Sequence, residues 1–98
     1  MLMSRIFQTL TYKGELCYMK IYDYDGKKNI CGARVHEARR QMKLTQSELA
    51  AKLQIAGIEI ERDSISRIEI GTRFVADYEL REIANILEVS VNWLLNIE

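Results

Sequence analysis

The one histidine of this 98-residue chain, His36, sits beside Glu37 and five residues after Cys31. One thiol and one imidazole do not complete a closed metal site. A single histidine so flanked also gives no Ser-His-Asp or Cys-His arrangement. The acids Glu79, Glu82 and Glu88 are spaced as a solvated helix face, and no glycine-rich loop of the phosphate-cradling kind occurs. No catalytic residue, metal or cofactor is therefore expected, and the chain is read as not an enzyme. What the sequence does offer is a series of cationic and hydrogen-bonding side chains between Arg39 and Arg73, groups suited to binding rather than to making bonds.

The elements that must position those groups centre on Thr45 to Gly71. Thr45 and Glu48 have the spacing of a capping box, in which the hydroxyl accepts from the later amide and the carboxylate reaches back to the earlier one. Leu49, Ala50 and Leu53 follow at helical spacing, and Gly57 marks a stop, so a second helix is expected from Gln46 to about Ala56. Ile65, Ile68 and Ile70 supply the apolar pattern of a third, from about Arg62 to Ile70, with Gly71 as its left-handed exit. Two amphipathic helices joined by a Gly-containing link are the material of a helix-turn-helix. Upstream, Asn29 is a good N-cap for a first helix over about 30–42, its apolar side made by Ile30, Ala33, Val35, Ala38 and Met42. Downstream, Asp77 is expected to cap a helix over about 78–88 that buries Leu80, Ile83, Ala84 and Leu87. Ser90 then caps a last short helix, 91–96, rich in apolar mass at Val91, Trp93, Leu94 and Leu95.

A chain of this length with 48% hydrophobic residues supports one small core, and the absence of proline suits a helix-rich fold. Cys17 and Cys31 are too few and too unpatterned for a disulfide scaffold and fit a reduced, cytoplasmic protein. No apolar run approaches the roughly 20 residues of a membrane span, and residues 1–18 lack the apolar core and cleavage site of a signal peptide. Net charge is zero, but residues 1–60 hold ten Lys or Arg against six Asp or Glu, and residues 61–98 hold four against eight. Such asymmetry points to one basic and one acidic face, and docking onto phosphates answers to the local field rather than the sum.

Residues 1–28 form a separate N-terminal segment ahead of the domain at 29–98. Two readings stand for it. RIFQTLTY and ELCYMKIY are β-prone runs around Lys13-Gly14 that can pair as a hairpin. Alternatively the biological product begins at Met19, with Lys13-Gly14-Glu15 encoded by purine-rich codons like those upstream of a start. Asp23, Asp25 and Gly26 mark a turn, too short a fragment for a calcium loop.

Three pieces together, ICGARVHEARRQMKLTQSELAAKL, DSISRIEIGTRFV and ELREIANILEVSVNWLL, resemble the five-helix DNA-binding domain of the phage-repressor type, the Cro and lambda-repressor superfamily often called the XRE family. The resemblance covers roughly residues 29–97 and implies an all-α fold that binds double-stranded DNA as a transcriptional regulator, in repressor fashion. It implies that Gln46 bonds a phosphate and braces the third helix, and that Arg62, Asp63, Ser66 and Arg67 face the major groove. Arg suits the two acceptors of guanine, and Asp can accept from the cytosine amino group. Thr72 and Arg73 follow the exit where the family meets the DNA backbone, and Arg39 and Lys43 could add phosphate contacts from the first helix; Arg40 reads as a surface charge. Glu69 is expected to tie the domain together through a local ion pair. Related proteins bind inverted repeats as dimers, with half-sites about 34 Å apart, and Trp93, Leu94 and the C-terminal helix are the first candidates for a homodimer surface, with plain core as the other reading of Trp93.

One departure from the family pattern is plain. QIAGIEI separates the second and third helices, about five residues more than the short turn usual there. The second-helix pattern is expected to run one turn further, with Ile58 and Ile60 anchoring a longer link. A reading from another class also stands: a protein-interaction module, such as the antitoxin of a toxin–antitoxin pair, since the arginines of the third helix are offset by Glu61, Asp63 and Glu69.

Overall fold

The computed structural model describes residues 24–98. The expected N-terminal hairpin, the start at Met19 and Cys17 all lie outside the described residues. From Tyr24 onward the chain is all-helical, with α1 at Gly32–Gln41, α2 at Gln46–Ile55, α3 at Arg62–Ile70, α4 at Asp77–Leu87 and α5 at Val91–Leu94.

Each start has a local cause. The Thr45–Glu48 capping box opens α2, with Thr45 Oγ1 accepting from the Glu48 amide at 3.0 Å and Glu48 Oε1 accepting from the Thr45 amide at 2.8 Å. At α1 the regular helix begins later than expected, at Gly32, but Asn29 still supplies the cap: its Oδ1 accepts from the Gly32 amide at 2.8 Å. The same side chain donates to the carbonyls of Ile68 at 3.1 Å and Arg73 at 2.8 Å. Asn29 thus pins the start of α1 to the end of α3. Asp77 is the first residue of α4 and not its cap; the Ala76 amide is met by Glu79 Oε1 at 3.0 Å.

All five described helices stop in the same way. The residue after the last turn takes positive φ, and two backbone bonds close behind it. For α3 these run from the Gly71 amide to the Ile68 carbonyl at 3.1 Å and from the Thr72 amide to the Arg67 carbonyl at 2.9 Å. This is the Schellman arrangement. Gly57 and Gly71 fill the left-handed position for α2 and α3, whereas Lys43, Glu88 and Asn96 fill it for α1, α4 and α5.

Val35 and Ala38 of α1, Leu49 and Leu53 of α2, Ile65 and Ile68 of α3, Ile83 and Leu87 of α4, and Leu94 of α5 meet in one core. Leu80 packs against it only in part, and Ile30, Ala33 and Met42 lie at the surface instead of joining the α1 stripe. The link between α2 and α3 belongs to the core as well. The helix does not run on; it stops at Ile55, Ile58 and Ile60 turn inward at 9% and 3% exposure, and Gln54 Nε2 donates to the Ile60 carbonyl at 2.7 Å. Extra length therefore brings its own anchors and holds α3 in place. Ile60→Ala should lower the unfolding free energy by about 2–5 kcal/mol in urea titration, the range for truncating a buried isoleucine. A loss under about 0.5 kcal/mol, typical of surface sites, would show that the link is loosely held.

Candidate nucleic-acid interface

The sequence of α3 divides it into two faces. Ile65 and Ile68 are fully buried, while Arg62, Asp63 and Arg67 are exposed and Ser66 is half-buried. Arg62 Nη2 lies 2.8 Å from Asp63 Oδ1, with both side chains more than half in water. Such a surface pair contributes little, so both groups can turn toward a ligand at small cost.

Behind that face a polar brace fixes the helix. The Glu69 carboxylate accepts from Arg39 Nε at 2.6 Å, Arg39 Nη2 at 3.1 Å and Gln46 Nε2 at 3.1 Å. His36 Nδ1 lies 2.9 Å from the same carboxylate and 3.2 Å from Arg39 Nη2. A protonated Nδ1 donates to Glu69, and an unprotonated one accepts from Arg39. Arg39 completes its fork by donating Nη1 to the Leu44 carbonyl at 2.7 Å. Burial pushes the Glu69 carboxyl up, but the hydrogen bonds from Arg39, His36 and Gln46 and the charge of Arg39 together outweigh it, so the group is held below the usual carboxylate value. One side chain of α3 is thereby bound to α1 and to the first turn of α2.

The start of α2 also borders an open depression of about 640 Å³ lined by Arg40, Lys43, Thr45, Gln46, Ser47 and Arg62, among others. Helix N-termini carry partial positive charge and unpaired amides, and here side-chain cations stand around one. A family model described as a helix-turn-helix domain matches residues 32–98. The chain belongs to the XRE-type helix-turn-helix family. No curated protein matches it.

In this helix-turn-helix domain α2 and α3 are the motif pair, and residues 56–61 form its lengthened turn. Several expected site residues take different places. Arg39 is 7% exposed with its guanidinium bonded to Glu69 and Leu44, so it supports the motif from inside and only borders the depression. Arg73 grips Glu79 with both terminal nitrogens, at 3.0 and 3.2 Å, and also donates to the Phe74 carbonyl. Glu79 itself is buried, contrary to its reading as part of a solvated face. Burial raises its carboxyl, and the Arg73 bonds, the Ala76 amide and the Arg73 charge bring it below its ordinary value. Thr72 is exposed, its amide closing α3. Leu94 is fully buried and offers nothing to a partner. Trp93 is half-buried, with the Arg34 guanidinium 4.4 Å from its ring and bonded to its carbonyl at 3.0 Å.

Arg40, read from sequence as a plain surface charge, lines the depression with Lys43 and Arg62. Its neighbour Lys43, at the exit just beyond α1, was the available signal. Cys31 is buried, and burial pushes its thiol up to about 11, far from a reactive thiolate. Among the described residues no group of three or more His, Cys, Asp or Glu side chains is placed to hold a metal, and no helix is long and apolar enough to cross a membrane.

Proposed function

We propose that the domain reads double-stranded DNA in the major groove with the outward face of α3 and acts as a sequence-specific, repressor-like transcriptional regulator. The carrying observation is that Arg62, Asp63, Ser66 and Arg67 share a solvent-facing surface of a helix whose other side is held by Ile65, Ile68 and the Glu69 brace. Rigid placement matters because a side chain can discriminate bases only if its partner edge is met at a fixed register. Arg62 and Arg67 offer paired donors to guanine, and Asp63 an acceptor to the cytosine amino group. Gln46, Arg40 and Lys43, around the N-terminus of α2, take a backbone phosphate. Gln46 has a double part: its amide nitrogen is tied to Glu69 while its position faces the depression. Two copies on an inverted repeat supply the contact area that one short helix lacks.

Fluorescence titration of labelled duplexes at two salt concentrations tests this. Affinity should fall steeply with salt as phosphate contacts release counterions. Arg67→Ala should cost about 1–3 kcal/mol on the preferred duplex and relax selection at one base pair. Lys43→Gln should weaken all duplexes alike and reduce the salt slope by about one. If both variants titrate as wild type, those two assignments are wrong.

A further inference from the structure

Within the DNA-reading assignment above, on which this rests, we propose that Ile70 is a specificity residue that recognises thymine through its C5 methyl group. Steps of three and four residues along α3 place Asp63, Ser66, Arg67 and Ile70 on one side of the helix. Ile65 and Ile68 are fully buried, whereas Ile70, two residues further, is 60% exposed. An isoleucine left in water forgoes the stabilisation its two neighbours contribute, and among the described residues it only borders an open pocket and is not covered.

Its mounting is firm. The Ile70 carbonyl accepts from Lys27 Nζ at 3.2 Å, and the Gly71 and Thr72 amides close the turn beneath it at 2.9 Å to the Arg67 carbonyl. A β-branched side chain on a helix has one strongly preferred rotamer, so the methyl groups are presented in a fixed direction. The surroundings select the occupant. Its co-facial neighbours Asp63, Ser66 and Arg67 are polar or charged, Lys27 stands at its carbonyl, and on the other side it borders a pocket shared with Tyr24, Asp25 and Ile30. An apolar protein surface would have to bury those groups along with Ile70. Major-groove DNA matches the mixture: acceptors and donors on the base edges, and one apolar group, the thymine methyl.

The test replaces thymine with deoxyuridine, one position at a time, in the tightest duplex recovered by selection, which removes a methyl and nothing else. For wild type, one position per half-site should lose about fourfold in affinity, the equivalent of one apolar carbon. For Ile70→Ala the thymine duplex should bind several-fold more weakly and the penalty at that position should vanish. The exposed side chain leaves the core intact, and circular dichroism checks that the variant folds. If wild type binds selectively yet ignores every uridine, or if Ile70→Ala keeps the full penalty, the inference is overturned while the DNA-reading assignment stands. If wild type distinguishes no duplex from any other, both are overturned.

Discussion

Glu69→Ala should lower the unfolding free energy by about 3–5 kcal/mol, the range for stranding one member of a buried ion pair. The Arg39 side chain is 8% exposed and would keep only the Leu44 carbonyl and an unprotonated His36 Nδ1 as close acceptors once the carboxylate is gone, neither of them charged. Gln46 would lose its tie to α3 in the same step. Urea titration measures the loss. Arg39→Met together with Glu69→Leu should recover most of it, because an apolar pair of similar volume fills the site without a stranded charge. Base discrimination should not recover with it, since Gln46 and α3 are no longer fixed to each other. A Glu69→Ala variant within about 0.5 kcal/mol of wild type, as for an ordinary surface site, would contradict the brace.

The same group predicts a pH dependence of definite sign. Glu69 is held below its ordinary value of 4.5 in the folded state, so its contribution is fully present above that value and is lost as pH falls through the folded one. Glu79, lowered by Arg73, adds in the same direction. Wild type should therefore lose stability in acid below about pH 4.5 more steeply than Glu69→Gln. Parallel curves for the two proteins would assign the acid loss elsewhere.

Gly32→Ala should cost about 3 kcal/mol or more, at the upper end for forcing extra volume into packed structure. A Cβ at this position would stand 2.2 Å from the Ile68 carbonyl oxygen and 3.0 Å from that of Glu69. Those atoms are helix backbone, so relief requires moving α1 away from α3. The displaced groups include the Asn29 cap, whose Oδ1 would lie 3.1 Å from the new carbon. Thermal unfolding should show a lowered Tm, and any folded fraction should bind its preferred duplex more weakly because α3 has shifted. A variant with unchanged Tm and affinity would mean that the two helices are not in the close contact described.

Most of this arrangement could be read from residue types. The capping box at Thr45 and Glu48, the glycines that end α2 and α3, and the isoleucines inside α3 all act locally, over three or four residues. The anchors of the link were legible too, since Ile58 and Ile60 alternate with Glu59 and Glu61, but the extra turn expected of α2 does not form, the helix stopping at Ile55. What escaped depends on pairings beyond the three- and four-residue reach of a helical pattern. Arg39 and Arg73 look like surface cations until Glu69 and Glu79 are brought to them across 30 and 6 residues. A carboxylate within reach turns a free guanidinium into a strut, and no local pattern reports it. Leu94 belongs to the core for the same reason: only the packing of α5 on its neighbours decides which side of a four-residue helix faces in. The left-handed exits at Lys43 and Glu88 were hidden because neither residue type favours that conformation.

The most direct measurement is recovery of bound duplexes from a random pool by the full chain, beside the double variant Arg62→Ala/Arg67→Ala. Wild type should enrich an inverted repeat with half-sites about 10 base pairs apart, and the double variant should enrich that motif weakly or lose it at guanine positions. A wild-type pool that stays random, or one motif recovered equally by both proteins, would contradict a reading of DNA by the outward face of α3.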